Sequence, residues 1–85
     1  MIAASRLPTI HTLPPMYACT VRKDDQTRRF TITDAGASGW EVREEEDDHV
    51  RKQVVYSDWH RVERARMAFA TEASQTGWID AEVSR

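Results

Sequence analysis

From Tyr17 to Arg22 the chain alternates, with Tyr17, Cys19 and Val21 on one side and Ala18, Thr20 and Arg22 on the other. A period of two belongs to a strand with one buried face. Lys23-Asp24-Asp25-Gln26-Thr27 supplies turn residues, and beyond it Phe30 and Ile32 alternate with Arg29, Thr31 and Thr33. The two runs predict a hairpin. Asp34-Ala35-Gly36-Ala37-Ser38-Gly39 reads as a loop, since its two glycines accept positive φ. Trp40 and Val42 then resume the inward row opposite Glu41 and Arg43, and Asp47-Asp48-His49 predicts the next turn. Val50 to Tyr56 follows as a fourth strand, with Val54 and Tyr56 inward and Arg51, Gln53 and Val55 outward.

After Tyr56 the period changes to that of a helix. Ser57 or Asp58 can cap its free N–H groups, and Trp59, Val62, Ala65, Phe69, Ala70 and Ala73 make one apolar stripe. Gly77 stands where a left-handed cap ends the helix, so that Trp78 and Ile79 fold back on its last turn. The expected fold is α+β: a four-stranded antiparallel meander with one C-terminal helix on one face, β-β-β-β-α. Its expected core is Phe30, Ile32, Trp40, Val42, Val54, Tyr56, Trp59, Val62, Phe69 and Trp78, with the three tryptophans supplying much of the buried area.

The ends have no period. Residues 1–15 hold Pro8, Pro14 and Pro15 among scattered apolar residues and read as a flexible arm. Residues 16–80 then form a single domain, and 81–85 a flexible C-terminus. At 85 residues only one core fits, and its stability margin is narrow. With 40% hydrophobic and 31% charged residues the balance is that of a soluble globular domain. No apolar run approaches the roughly 18 residues of a membrane span, and the N-terminal segment lacks the pattern of a signal peptide. A lone cysteine, Cys19, permits no internal disulfide or Cys-based metal cluster and suits a cytoplasmic setting.

Charge narrows the functional classes. A formal net charge of −2 argues against wrapping nucleic acid by bulk electrostatics. The run Glu44-Glu45-Glu46-Asp47-Asp48-His49 lacks the alternation and the glycine of a calcium loop, and reads as a solvated strand end and turn that also guards an edge strand. Neither a metal nor a cofactor is expected. His60, Arg61, Arg64 and Arg66 occupy the first half of the helix, where the macrodipole disfavours positive charge. Local pairing would match Asp58 with Arg61 and Glu63 with Arg66, and the wheel places Arg66 inside the apolar arc near Trp59 and Ala73. Alternatively Arg51 and Lys52 join Arg61 and Arg64 in a patch that meets an acidic partner or phosphates.

The solvent side of the sheet presents Arg22, Arg29, Thr31, Arg43 and Gln53, residue types that contact bases and phosphates, interleaved with Glu41 and Glu45. The order of strands, Gly39-Trp40-Glu41-Val42, a further strand and a helix closing on Gly77-Trp78 resembles WGR domains over roughly Arg28 to Trp78. That resemblance implies nucleic-acid recognition. The Trp-Gly-Arg tripeptide of the family is absent, so no residue role carries over. His11, His49 and His60 lie on an arm, a turn and a helix, Cys19 points inward, and Ser57 and Ser74 have no evident base, so no catalytic constellation forms. The expectation is a small non-enzymatic protein-interaction domain, self-association as a homodimer included. Its alternative is a nucleic-acid-binding module that uses the basic helix face and the exposed sheet face.

Overall fold

The computed structural model describes residues 15–81. The arm expected over 1–15 lies outside them but for Pro15, as do residues 82–85 of the expected C-terminal tail.

The chain forms β1 (Tyr17–Lys23), β2 (Gln26–Asp34), β3 (Trp40–Glu46), β4 (His49–Tyr56), α1 (Trp59–Gln75) and β5 (Ile79–Asp80). The strands make one antiparallel sheet in the order β4-β3-β2-β1-β5, and α1 packs on β2, β3 and β4. This is the α+β meander with one helix on one face that the periodicity predicts.

Local chemistry fixes each connection. Asp24 at φ 56 turns β1 into β2, pairing Lys23 with Gln26. Asp47 and Asp48, at φ 51 and 71, form the two-residue link between β3 and β4, where two left-handed residues match the twist of the strands. Between β2 and β3, the Asp34 carboxylate accepts from the Gly36 N–H at 2.7 Å and starts a short 3-10 turn over Gly36–Ser38. Gly39, at φ 115, faces the β4–α1 junction closely enough that a Cβ would stand 2.8 Å from the Ser57 Cα. Asp58 caps α1 by accepting from the His60 N–H at 2.9 Å. At the far end Gly77 takes φ 89, and the Trp78 N–H bonds the Ala73 carbonyl at 2.9 Å. That is a Schellman ending.

The core consists of Val21, Phe30, Ile32, Val42, Val62, Phe69 and Ala73, with Cys19, Trp40, Tyr56, Ala65 and Trp78 packed partly buried against it. Val54 is half-buried. Burial of Phe30 and its neighbours drives folding at about 25 cal/mol per Å² of apolar surface.

Several expectations are corrected. Trp59, in the first turn of α1, is 38% exposed, with its ring edge-on to that of Trp40 at 5.1 Å. No tryptophan belongs to the fully buried set, whose largest members are Phe30, Ile32, Val42 and Val62. Tyr17 is also 37% exposed and Ala70 faces solvent. The buried helix residues are Val62, Phe69 and Ala73, and half-buried Arg66, inside the apolar arc as the wheel places it, lies over the Tyr17 ring at 5.8 Å. A fifth strand exists: Ile79 leaves the helix end and pairs with Arg22, while Asp80 pairs with Val21. The Schellman turn sends the chain back along the open edge of β1, whose unpaired backbone groups accept it.

The alternation of β4 is also broken. A bulge between Glu44 and Glu45 pairs Glu44 with Lys52 and Glu45 with Val50, so Val50 joins the outward row. Arg51 is the extra residue, and it hydrogen-bonds Glu46 of the helix-side row instead of standing outward with Gln53 and Val55.

Candidate functional site

Lys52, Arg61 and Arg64 surround a concavity of 310 Å³ between α1 and β4, together with Tyr56, Ala65 and Ala68. The sequence builds it from a tight junction. Tyr56 ends β4, Asp58 caps the helix two residues later, and the first turns of α1 therefore run beside the strand they have just left. Lys52 belongs to the helix-side row, two residues before Val54 and four before Tyr56. Arg61 and Arg64 stand three residues apart on the neighbouring helix face, and the short Ala65 and Ala68 side chains leave the space open.

The three cations are exposed, and none makes an ion pair or hydrogen bond with another described residue. Most other arginines are engaged. Arg28 pairs with Glu72 at 3.2 Å, Arg43 with Glu45 at 3.1 Å and Arg66 with Glu63 at 2.8 Å. Arg51 pairs with Glu46, and Arg29 donates to the Thr20 hydroxyl at 3.4 Å. Arg22 on β1 is free among the described residues, but it lies far along the sheet order from β4. The structure thus brings together three of the four residues expected as a patch and separates Arg51 from them. The expected Asp58–Arg61 pair does not form, since the Asp58 carboxylate is held at the helix end by the His60 N–H, with the His60 ring 3.5 Å away. Glu44, opposite Lys52 across the strands, makes no bond to it.

The outward sheet face is a different environment. Arg29, Thr31, Thr33, Glu41, Arg43, Glu45 and Val55 line a trough of 520 Å³. Its polar groups are spent on one another: the Gln53 amide donates to Glu41, and Arg43 lies against Glu45. The Arg43 Nε is buried and, although near that carboxylate, is not aligned to donate to it, so the contact is electrostatic. Of the residues expected on this face, Arg29, Thr31 and Arg43 line the trough, Gln53 borders it through Glu41, and Arg22 stands on β1 beside Ile79.

The acidic run is structural. Asp47 exchanges two bonds with Thr27, donating its N–H to the carbonyl at 2.8 Å and accepting the Thr27 N–H on its carboxylate at 2.9 Å. Glu46 accepts from Arg51 and, at 3.5 Å, from Gln26. Among the described residues no group of three or more His, Cys, Asp and Glu side chains has metal-holding geometry. His49 and His60 are exposed and apart, Cys19 is half-buried, and Ser57 and Ser74 are exposed. His11 lies outside the described residues. Among the described residues no helix is long and apolar enough to cross a membrane.

Two groups on the helix side have shifted proton affinity. Burial raises the Tyr17 phenol above its ordinary value, Cys19 adds to the rise, and Arg66 opposes it. Glu63 holds the Arg66 guanidinium more firmly charged.

Sequence reasoning missed Ala65 and Ala68 as walls of the concavity and Arg28 as an inward residue. The alanines carried a signal, because small residues flanked by arginines on one helix face imply open space beside them.

No family model, no curated protein and no solved structure matches the chain. The resemblance to WGR domains therefore rests on the order of elements alone.

Proposed function

We propose that this chain is a small non-enzymatic protein-interaction domain whose concavity between α1 and β4 receives an acidic segment of a partner protein. The observation that carries the reading is the set Lys52, Arg61 and Arg64, left without carboxylate partners among the described residues around one hollow, while of the other described arginines all but Arg22 are engaged. Unpaired cations in the first half of a helix oppose the macrodipole, so their placement is not explained by helix stability. Converging on one hollow, they raise the local concentration of anions and steer them to it.

Self-association as a homodimer is the weaker form of the reading. Two copies meeting through β4 would bring Lys52, Arg61 and Arg64 toward the same charges on the second copy. The lone Cys19 supports a cytoplasmic setting. Binding of nucleic acid through Arg22, Arg29, Thr31, Arg43 and Gln53 has less support, since a polyanion would have to displace the contacts of Arg43 and Gln53 with Glu45 and Glu41.

The test is binding of a glutamate-rich peptide to the full chain, followed by titration calorimetry at low and moderate salt. The expected result is affinity that weakens as salt rises and is abolished in an Arg61→Glu/Arg64→Glu variant whose circular dichroism is unchanged. A gel-shift panel of DNA and RNA at low salt runs beside it. Retention of nucleic acid with no uptake of the peptide replaces this reading by its alternative, and silence in both assays removes both.

A further inference from the structure

The concavity lies against an open sheet edge. In the order β4-β3-β2-β1-β5, β4 has a strand neighbour only on its β3 side among the described residues, so one row of its N–H and C=O groups is free. The opposite edge is covered by β5 over two residues of β1, where Ile79 and Asp80 pair with Arg22 and Val21. From the Glu44/Glu45 bulge onward β4 pairs regularly, Lys52 with Glu44 through Tyr56 with Trp40, which leaves a straight edge of five residues spanning about 17 Å. The part of β4 before it, His49–Arg51, is irregular and blunted by the ion pair between Arg51 and Glu46.

The two sides of this edge differ. On the helix side stand Lys52, Arg61 and Arg64 around their hollow. On the outward side stand Gln53 and Val55, the valine 50% exposed. A strand laid beside Lys52–Tyr56 would send alternate side chains to the two sides. Those on the helix side meet unpaired positive charge, and those on the outward side meet an exposed valine.

We infer that the Lys52–Tyr56 edge accepts an extended segment of another protein as a sixth strand, one that alternates acidic and β-branched residues, with its carboxylates entering the Lys52, Arg61 and Arg64 hollow and its apolar side chains covering Val55. This rests on the acidic-partner reading and specifies its geometry. Backbone bonds to the edge supply affinity, and the two different sides supply the choice of sequence. The charge that recruits such a segment also keeps a second copy of this domain from the same edge.

The experiment uses the full chain and four capped peptides of one length. The first alternates glutamate and valine. The second has the same composition with the glutamates in one block. The third and fourth are alternating peptides methylated on the backbone nitrogens of the odd or the even residues. Strand addition predicts that the alternating peptide binds more tightly than the block peptide. It also predicts that one methylated set loses about ten-fold or more in affinity while the other binds nearly as the parent, because only one row of N–H groups faces the edge. Equal affinities of the two methylated peptides, whether both strong or both lost, overturn strand addition. If block and alternating peptides bind alike in that case, the hollow still takes acidic segments and only the inferred geometry fails. If no glutamate peptide binds, the acidic-partner reading fails and takes the inference with it.

Discussion

The guanidinium carbon of Arg28 lies 5.2 Å from the centre of the Trp78 ring, joining the second strand to the segment that follows the helix. The same group is 5.6 Å from the Phe69 ring and bonded to Glu72, and the Arg28 side chain is only 13% exposed. An inward arginine thus closes the core at the end away from Trp40 and Trp59. It holds its aliphatic stem against apolar surface and its charge against two rings.

Arg28→Ala should lower unfolding stability by about 2 kcal/mol, through lost packing as much as lost charge. Urea unfolding followed by tryptophan fluorescence measures it. Glu72→Gln should cost less than about 1 kcal/mol, because Glu72 is 56% exposed and its share of the pair is screened. A larger loss for Glu72→Gln than for Arg28→Ala would show that the ion pair, not the ring contacts, secures this end.

Gly39→Ala should be among the most damaging single changes. It adds left-handed strain at φ 115 and sets a methyl 2.8 Å from the Ser57 Cα and 2.9 Å from the Tyr56 carbonyl carbon. Gly36→Ala meets open space and adds only the strain of φ 66, about 1 kcal/mol. Thermal melts of the two variants should therefore separate widely. Comparable melting temperatures would mean that the β4–α1 junction yields to the methyl.

The turn between β3 and β4 offers a stabilising change. Asp48 holds φ 71 with no side-chain bond, so Asp48→Gly should gain roughly 0.5 kcal/mol or more by removing left-handed strain. Asp47→Gly relieves similar strain but forfeits the bond from the Thr27 N–H at 2.9 Å, worth about 1 kcal/mol, so it should gain nothing. Chemical denaturation of both variants checks the order.

Alkaline pH tests the Tyr17 surroundings. Its phenol titrates above its unfolded value, chiefly through burial, so the protonated form is favoured in the folded chain. Its contribution to stability is complete below the ordinary tyrosine range near pH 10 and is lost as pH rises through the higher folded value. Tyr17→Phe should flatten that alkaline decline. Arg66→Met should raise the phenol further, since Arg66 is the group that lowers it. Phenolate absorbance in a Tyr56→Phe background reads both effects, and a downward movement on removing Arg66 would contradict the contact at 5.8 Å.

The periodicities of the chain determined the elements and the rows of the core. Phe30, Ile32, Val42, Val62 and Phe69 are legible because burial of one face imposes a period of two on a strand and of 3.6 on a helix, whatever lies opposite. Most of the basic hollow was legible for a related reason: a cap two residues after a strand forces helix and strand to run side by side, so Lys52, Arg61 and Arg64 meet with little freedom. Arg51 was not, because a bulge is a mismatch between two strands and neither strand encodes it alone. The place of Arg28 against Trp78 and Glu72, the two-residue strand Ile79–Asp80, and the exposure of Trp59 were decided by the tertiary structure. Each depends on where the end of the helix falls over the sheet, a distance set by the packing of all the elements together.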